Sequence, residues 1–389
     1  MTPHVATNRI SLILGILVYI ATASVGCTSQ DRQASRGEGL HTSAASGLTI
    51  ADSTVMRFED HQYDRIFDLE LDARGYVYVA DYDARRIRGF SPSGESTWSV
   101  GGEGAAPSEF KWLMDITLYK TDSLYALDYG NMKINVYTLQ DGPPTLQRTI
   151  PLQRLHGSAP RYIFKPDAVG FLVLYKSAPR PPEDRRQWLA RIDYEGRVIN
   201  PSIISVPADR ILREKNEGPG WSLFPKPFRA RHLIDVADDR VYTAISSDAE
   251  VTRHSLRGEA GTSLTIADPH LAVTDHDLDS LIARRMPGLS ERHRSFIESS
   301  NIPAHYPVFD GLEVDDRGRI WLDVNSTATD IGDWVVIDPQ NRSVKRLNLR
   351  PGEEIASVMG PRVAAIRQRP TGAQDIVVYR LSNDSKQRE

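Results

Sequence analysis

Apolar and polar residues alternate in short runs along most of this chain, with Asp/Gly turns between the runs. A period of two marks β-strands with one face turned inward. The pattern also repeats. At a constant offset of 47, residues 68–90 align without a gap on 115–137: Asp68 with Asp115, Leu69 with Ile116, Leu71 with Leu118, Tyr78 with Tyr125, Asp81 with Asp128, Tyr82 with Tyr129, Ile87 with Ile134 and Phe90 with Tyr137. A repeat of about 40–50 residues built of several short strands predicts a β-propeller, one blade per repeat. Residues 312–318 and 320–322 echo 69–75 and 77–79, and alternating strands fill 162–206 and 232–266. The last set, 354–358, 362–368 and 376–381, supplies only three strands. Residues 48–58 alternate well enough to be its fourth. The expectation is an all-β, six-bladed propeller over 48–382, with N- and C-terminal strands closing the last blade and removing two exposed edges.

One segment departs from this period. Residues 274–300 have helical spacing (Leu278, Leu281, Ile282; Phe296, Ile297), with Thr274 and Asp277 placed as a capping box and Pro287-Gly288 dividing the run. They predict a helical insertion between the fourth and fifth blades, either a cover for one face or a lid over the central funnel. At the N-terminus, Arg9 precedes a nearly unbroken apolar run over residues 10–25. A secretion signal has an apolar core of about 7–15 residues, whereas a spanning helix needs about 20.

Cys27 is the only cysteine, and it ends that run in Ser24-Val25-Gly26-Cys27. This arrangement resembles the lipobox of bacterial lipoproteins, with Ser24 where Leu is usual. The resemblance implies that residues 1–27 are a lipoprotein signal peptide with its lipobox cysteine. It also implies a lipid anchor on Cys27 and a place in the cell envelope, at the outer membrane or the periplasmic face of the inner membrane. Residues 28–47, rich in Ser, Gly, Ala, Gln and Arg, read as a flexible tether, and 383–389 as a disordered tail. With no second cysteine the domain has neither disulfides nor a thiolate metal site, and a chain this long needs no such staples. A net charge of −4 without a basic stripe argues against nucleic acid as a partner.

Asp72-Ala-Arg-Gly75, followed by Tyr76-Val-Tyr-Val-Ala-Asp81 and Arg86-Ile-Arg-Gly-Phe90, resembles NHL repeats. The Gly-rich stretch from Gly101 to Phe110 is similar to the link between such repeats, with Ser108 in place of the usual Gly and Trp112 near the expected Pro. The chain as a whole resembles the six-bladed NHL-like propeller lipoproteins of bacteria, which implies a fold and an extracytoplasmic address and little about the ligand. The repeated residues read as structural. Asp81 and Asp128 are placed to accept amide hydrogen bonds in the next turn, Tyr78 and Tyr125 to pack between sheets, and Gly75 and Gly318 to allow positive φ.

No catalytic motif is present: neither His-Glu-x-x-His, Gly-x-Ser-x-Gly nor a phosphate loop occurs. Glu70, Asp235 and Glu313 fall on the expected innermost strands, where they either face the channel or are satisfied by neighbouring backbone. Arg65, Lys111, Arg161, Arg231 and His305 each precede an expected innermost strand, so they are candidates for a basic, anion-binding rim that focuses field on a carboxylate or sugar acid. Trp98, Trp112, Trp188, Trp221 and Trp334 are candidate contacts wherever they lie on loops. No metal ligand set is evident and no cofactor is expected. The function expected is a membrane-tethered binding or scaffold protein that recognises a protein, peptide or glycan through one propeller face. The alternative is a metal-dependent hydrolase or lyase of the lactonase-like or amidating-lyase-like propeller type, which would need calcium or zinc.

Overall fold

A computed structural model describes residues 40–41, 46–57, 65–139, 142–177, 185–216, 218–237, 239–267, 271–286, 288–324, 333–350, 352–369 and 372–382. Cys27, the apolar leader, residues 28–39 of the expected tether and the tail 383–389 lie outside them. Six four-stranded antiparallel blades form the propeller. Blade 1 runs Ile66–Leu71, Val77–Asp81, Arg86–Phe90, Ser96–Gly101, and blade 2 runs Leu113–Tyr119, Ser123–Asp128, Lys133–Thr138, Thr145–Pro151. Blade 3 comprises Ala159–Phe164, Phe171–Lys176, Arg186–Ile192 and Val198–Pro207, and blade 4 comprises His232–Ala237, Arg240–Ile245, Glu250–Ser255 and Ala260–Ala267. Blade 5 is Phe309–Val314, Ile320–Val324, Asp333–Asp338 and Ser343–Asn348. Blade 6 takes Glu353–Met359, Arg362–Gln368 and Gln374–Leu381 from the C-terminus and Ile50–Met56 from the N-terminus, which closes the ring as expected.

Apolar side chains are sandwiched between successive blades. Each of the six interfaces has its own buried cluster, such as Tyr78, Ile87, Leu113 and Tyr137 between blades 1 and 2, and Trp321, Trp334, Val363 and Tyr379 between blades 5 and 6. Because both faces of a blade are covered, a middle strand can be buried along its whole length, as Val77–Asp81 is in blade 1. The turns follow from residue chemistry. Asp72 accepts from the Tyr76 amide at 2.9 Å, and Gly75 takes φ +95°; Asp315 and Gly318 (φ +71°) repeat the device in blade 5.

Five of the six innermost strands carry a β-bulge, near the start in blades 1, 2, 3 and 5 and in the middle in blade 6, and the residue passed over by the ladder is Phe67, Met114, Arg161, Asp310 or Ala356. The first three are 47 residues apart, so the repeat continues into blade 3 although its other positions have diverged. A bulge bends the strand and re-aims a side chain. In blades 1 and 3 the residue passed over, Phe67 or Arg161, stands against Tyr82 or Tyr129 in the turn after a second strand, at the end of the ring where the innermost strands begin. That end is the mouth of the ring.

Two features differ from expectation. The tether does not run free to residue 47: Leu40–His41 pairs in parallel with the outer strand of blade 4, and Ser46–Gly47 with that of blade 5. Backbone pairing to an open edge needs no apolar periodicity, so nothing in the composition signals it. A hairpin, Ile211–Lys215 with Trp221–Pro225, also stands between blades 3 and 4. The expected insertion forms α1 (Asp275–Arg285) and α2 (Glu291–Glu298), and Thr274 and Asp277 complete the capping box. Hairpin and helices share an apolar core of Leu278, Ile282 and Ile297 against Leu212, Phe224 and Phe296, fastened by an Arg292–Glu214 ion pair at 2.8 Å.

Candidate anion-binding site

The channel is acidic. Asp68 and Glu70 project from the innermost strand of blade 1, Asp115 from blade 2, Asp235 from blade 4 and Glu313 from blade 5. Their charges act on one another across the ring: Asp235, Asp68 and Glu70 all raise Glu313. Blades 1, 4 and 5 are brought within such reach only along the central axis, so these acids line the channel. Most are tied to the next blade. Asp68 accepts from the Ile116 amide at 2.8 Å, Asp115 from Ile163 at 2.5 Å, and Asp235 from Val314 at 2.6 Å and Val236 at 2.7 Å. Burial pushes Glu70 up to about 8 and Asp235 up to about 6, with Lys165 pulling both back. Burial raises Asp68 as well, and lifts Asp115 and Glu313 well above the carboxylate range. Among the described residues no three His, Cys, Asp or Glu side chains are arranged to hold a metal ion.

The mouth is basic on one side. A cavity of about 370 Å³ lies between the start of blade 3 and the inserted hairpin, and Arg154, Arg161, Lys176, Arg185, Arg210 and Arg229 line it against one carboxylate, Asp209. Local backbone sets these positions. A tight Leu155–Ser158 turn, with His156 and Gly157 at positive φ, brings Arg154 and Arg161 to the rim. Past blade 3 the Ala208 amide donates to the Arg185 carbonyl at 2.8 Å, after which the chain turns at Asp209 into the hairpin. Asp209 accepts from Lys176 at 3.1 Å and Arg229 at 3.4 Å. Burial works to raise its carboxyl, yet Lys176, Arg229 and Arg231 together hold it below the usual range. Burial also lowers Lys176, which Asp209 only partly offsets. Arg185 spans the carbonyls of Asp209 and Ser177, and the Nε atoms of Arg185 and Arg229 are buried with no acceptor among the described residues. Arg154, Arg161 and Arg210 make no ion pair among the described residues. Six cations facing one carboxylate suit an anionic group, and guanidinium forks suit carboxylate, sulfate or phosphate oxygens in pairs.

The five expected rim residues have different surroundings. Arg161 lines the cavity, and Arg231 lies close enough to act on Asp209, but its Nη1 donates to the Asp310 carbonyl at 2.5 Å and bridges blades 4 and 5. Arg65 is paired with Asp83 at 2.9 Å. Lys111 rests on Trp112, while His305 pairs with Ala272 beside the helices. Arg154, Lys176, Arg185, Arg210 and Arg229 were not singled out from the sequence. Lys176 ends a strand of blade 3 and the four arginines sit on four separate loops, and the only local signal is the arginine density of 185–186, 210–213 and 229–231. Of the tryptophans, Trp112 and Trp221 are exposed, whereas Trp334 is buried between blades 5 and 6.

No family model matches the chain, and no curated protein does. Solved structures share the fold. A putative exported protein from Bacteroides fragilis is 12% identical with a TM-score of 0.50, covering 89% of this chain and 100% of its own. A member of the DUF4221 family from Bacteroides vulgatus is 9% identical with a TM-score of 0.52, over 87% and 98%. Virginiamycin B lyase from Staphylococcus aureus is 11% identical with a TM-score of 0.45, over 85% and 99%. At these identities the likeness concerns the fold alone.

Proposed function

We propose that this chain is an extracytoplasmic binding protein of the NHL-like propeller type, held at a membrane through lipid on Cys27, whose mouth captures an anionic ligand. The observation that carries the reading is the cavity in which six cations face Asp209 alone. The lipobox-like Ser24-Val25-Gly26-Cys27 supports the address, as does the Bacteroides fragilis neighbour, itself described as exported. The metal-dependent alternative draws no support from the channel, whose acids are turned largely toward backbone amides.

The test is titration calorimetry of the folded domain with glucuronate, citrate and phosphate. One of these anions binds saturably, more weakly as salt rises, since partly exposed charges are screened. Arg161→Glu combined with Arg210→Glu weakens it at least about tenfold, a loss of roughly 1.4 kcal/mol. Neither arginine is in an ion pair among the described residues, so the Asp209 network and the fold are expected to survive the exchange. Unchanged affinity in the double variant, or no saturable binding of any of the three, refutes the reading. For the address, Cys27→Ser is expected to move the full chain from the membrane fraction to the soluble fraction and to abolish palmitate labelling.

A further inference from the structure

Beside the cavity, the mouth carries a row of aromatic rings, each laid against a cation. In blade 1, Phe67 and Tyr82 lie 4.2 Å apart between ring centroids, with the Arg65 guanidinium 4.6 Å from Tyr82. In blade 2, Trp112 and Tyr129 are 5.6 Å apart, with Lys111 5.7 Å from Trp112. Arg161 of blade 3 lies 5.1 Å from Tyr129, and both residues also line the cavity. The row is therefore continuous with the basic pocket. Phe67 and Trp112 remain 38% and 39% exposed, although rings of this size are mostly covered in folded proteins. Two construction details repeat. Tyr82 and Tyr129 occupy the same position 47 residues apart, and the bulges at Phe67 and Arg161 turn those side chains to the mouth.

We propose that the ligand is an acidic oligosaccharide, with one acid group in the basic cavity and successive sugar rings laid over Trp112 and the Phe67–Tyr82 pair. This rests on the anion-binding reading and extends it. A sugar acid presents an apolar C–H face to a ring and a carboxylate or sulfate at its edge, and a ring with a cation alongside answers both. A repeating ligand matches a contact repeated from blade to blade. An acidic peptide is matched less well: at these positions the mouth offers flat rings bordered by cations, which suit the faces of sugar rings better than separate side chains.

The experiment compares galacturonate monomer and tetramer, a neutral maltotetraose and tetraglutamate on the full domain, with the wild type, Trp112→Ala and Arg161→Glu. The tetrauronate is expected to bind at least about tenfold more tightly than the monomer, the step that one stacked ring provides. Trp112→Ala removes that gain and leaves monomer binding unchanged, while Arg161→Glu weakens both. Loss of monomer binding in Arg161→Glu with no effect of Trp112→Ala on the tetramer overturns the oligosaccharide and leaves the anion site standing. Tetraglutamate binding as tightly as the tetrauronate reassigns the mouth to acidic peptides. Maltotetraose binding as tightly as the tetrauronate overturns both readings.

Discussion

Asp128 shows how a single side chain sets the mouth. It is fully buried, and its two oxygens accept from the amides of Lys111, Trp112, Gly130 and Asn131 and from the Asn131 side chain at 2.7 Å. The carboxylate thus ties the loop entering blade 2 to the turn after that blade's second strand, and it fixes the backbone that presents Lys111 and Trp112. Asp81, its counterpart in blade 1, collects the Ala84 amide and the Arg88 guanidinium at 3.0 and 2.9 Å. Removing such an acceptor leaves several buried donors unsatisfied, each a real cost. Asp128→Ala is therefore expected to cost on the order of 3 kcal/mol in urea denaturation, with Asp128→Asn intermediate because one oxygen is kept. A loss below about 1 kcal/mol, within the range of an ordinary single hydrogen bond, would show that the turn holds without its carboxylate.

At the scale of elements, what could be read in advance follows the range of the interaction that makes it. Strand alternation, the Asp-Gly turns and the Thr274–Asp277 cap are local, and all lie open in the chain. Closure by residues 50–56 was legible because the last blade lacked a strand, a deficit that counting reveals. The parallel pairings of 40–41 and 46–47 were not, since they use backbone groups that every residue carries. The hairpin at 211–225 has alternation of its own about Gly218-Pro-Gly220, but nothing in that stretch says it packs on helices some 60 residues further on. The site was half legible for the same reason. Of the cavity residues, Arg161 is legible because strand position alone places it at an innermost strand. The other cavity arginines come from loops between and beyond the strands of blade 3, and only the folded ring brings those loops together.

The whole molecule carries an electrostatic consequence that no single blade has. Ring closure gathers Asp68, Glu70, Asp115, Asp235 and Glu313 around one axis, with Lys165 offsetting Glu70 and Asp235 and with the Thr117 hydroxyl and Leu118 amide bonded to Glu70. A carboxyl whose pKa rises on folding is protonated more readily in the native state than in the unfolded chain. Its contribution is fully present below the unfolded value and is lost as pH climbs through the folded one. For Glu70 that window runs from 4.5 to about 8, and for Asp323, raised by burial and by Asp310, from 3.8 to about 7. His232 and His254, which burial depresses, act in the opposite sense, but only below 6.5. Asp167 and Asp209, held below their ordinary range, matter only in acid. Lys133 and Lys176, which burial lowers, also act in the opposite sense but are outnumbered by the raised carboxyls, and the melting temperature is expected to fall between pH 6.5 and 8.5. Glu70→Gln keeps an oxygen for the Thr117 and Leu118 bonds and removes the proton, so it should flatten the decline. A melting temperature that holds level or rises, or an equal slope in Glu70→Gln, would mean that water in the channel solvates these carboxylates well enough to leave them ionised.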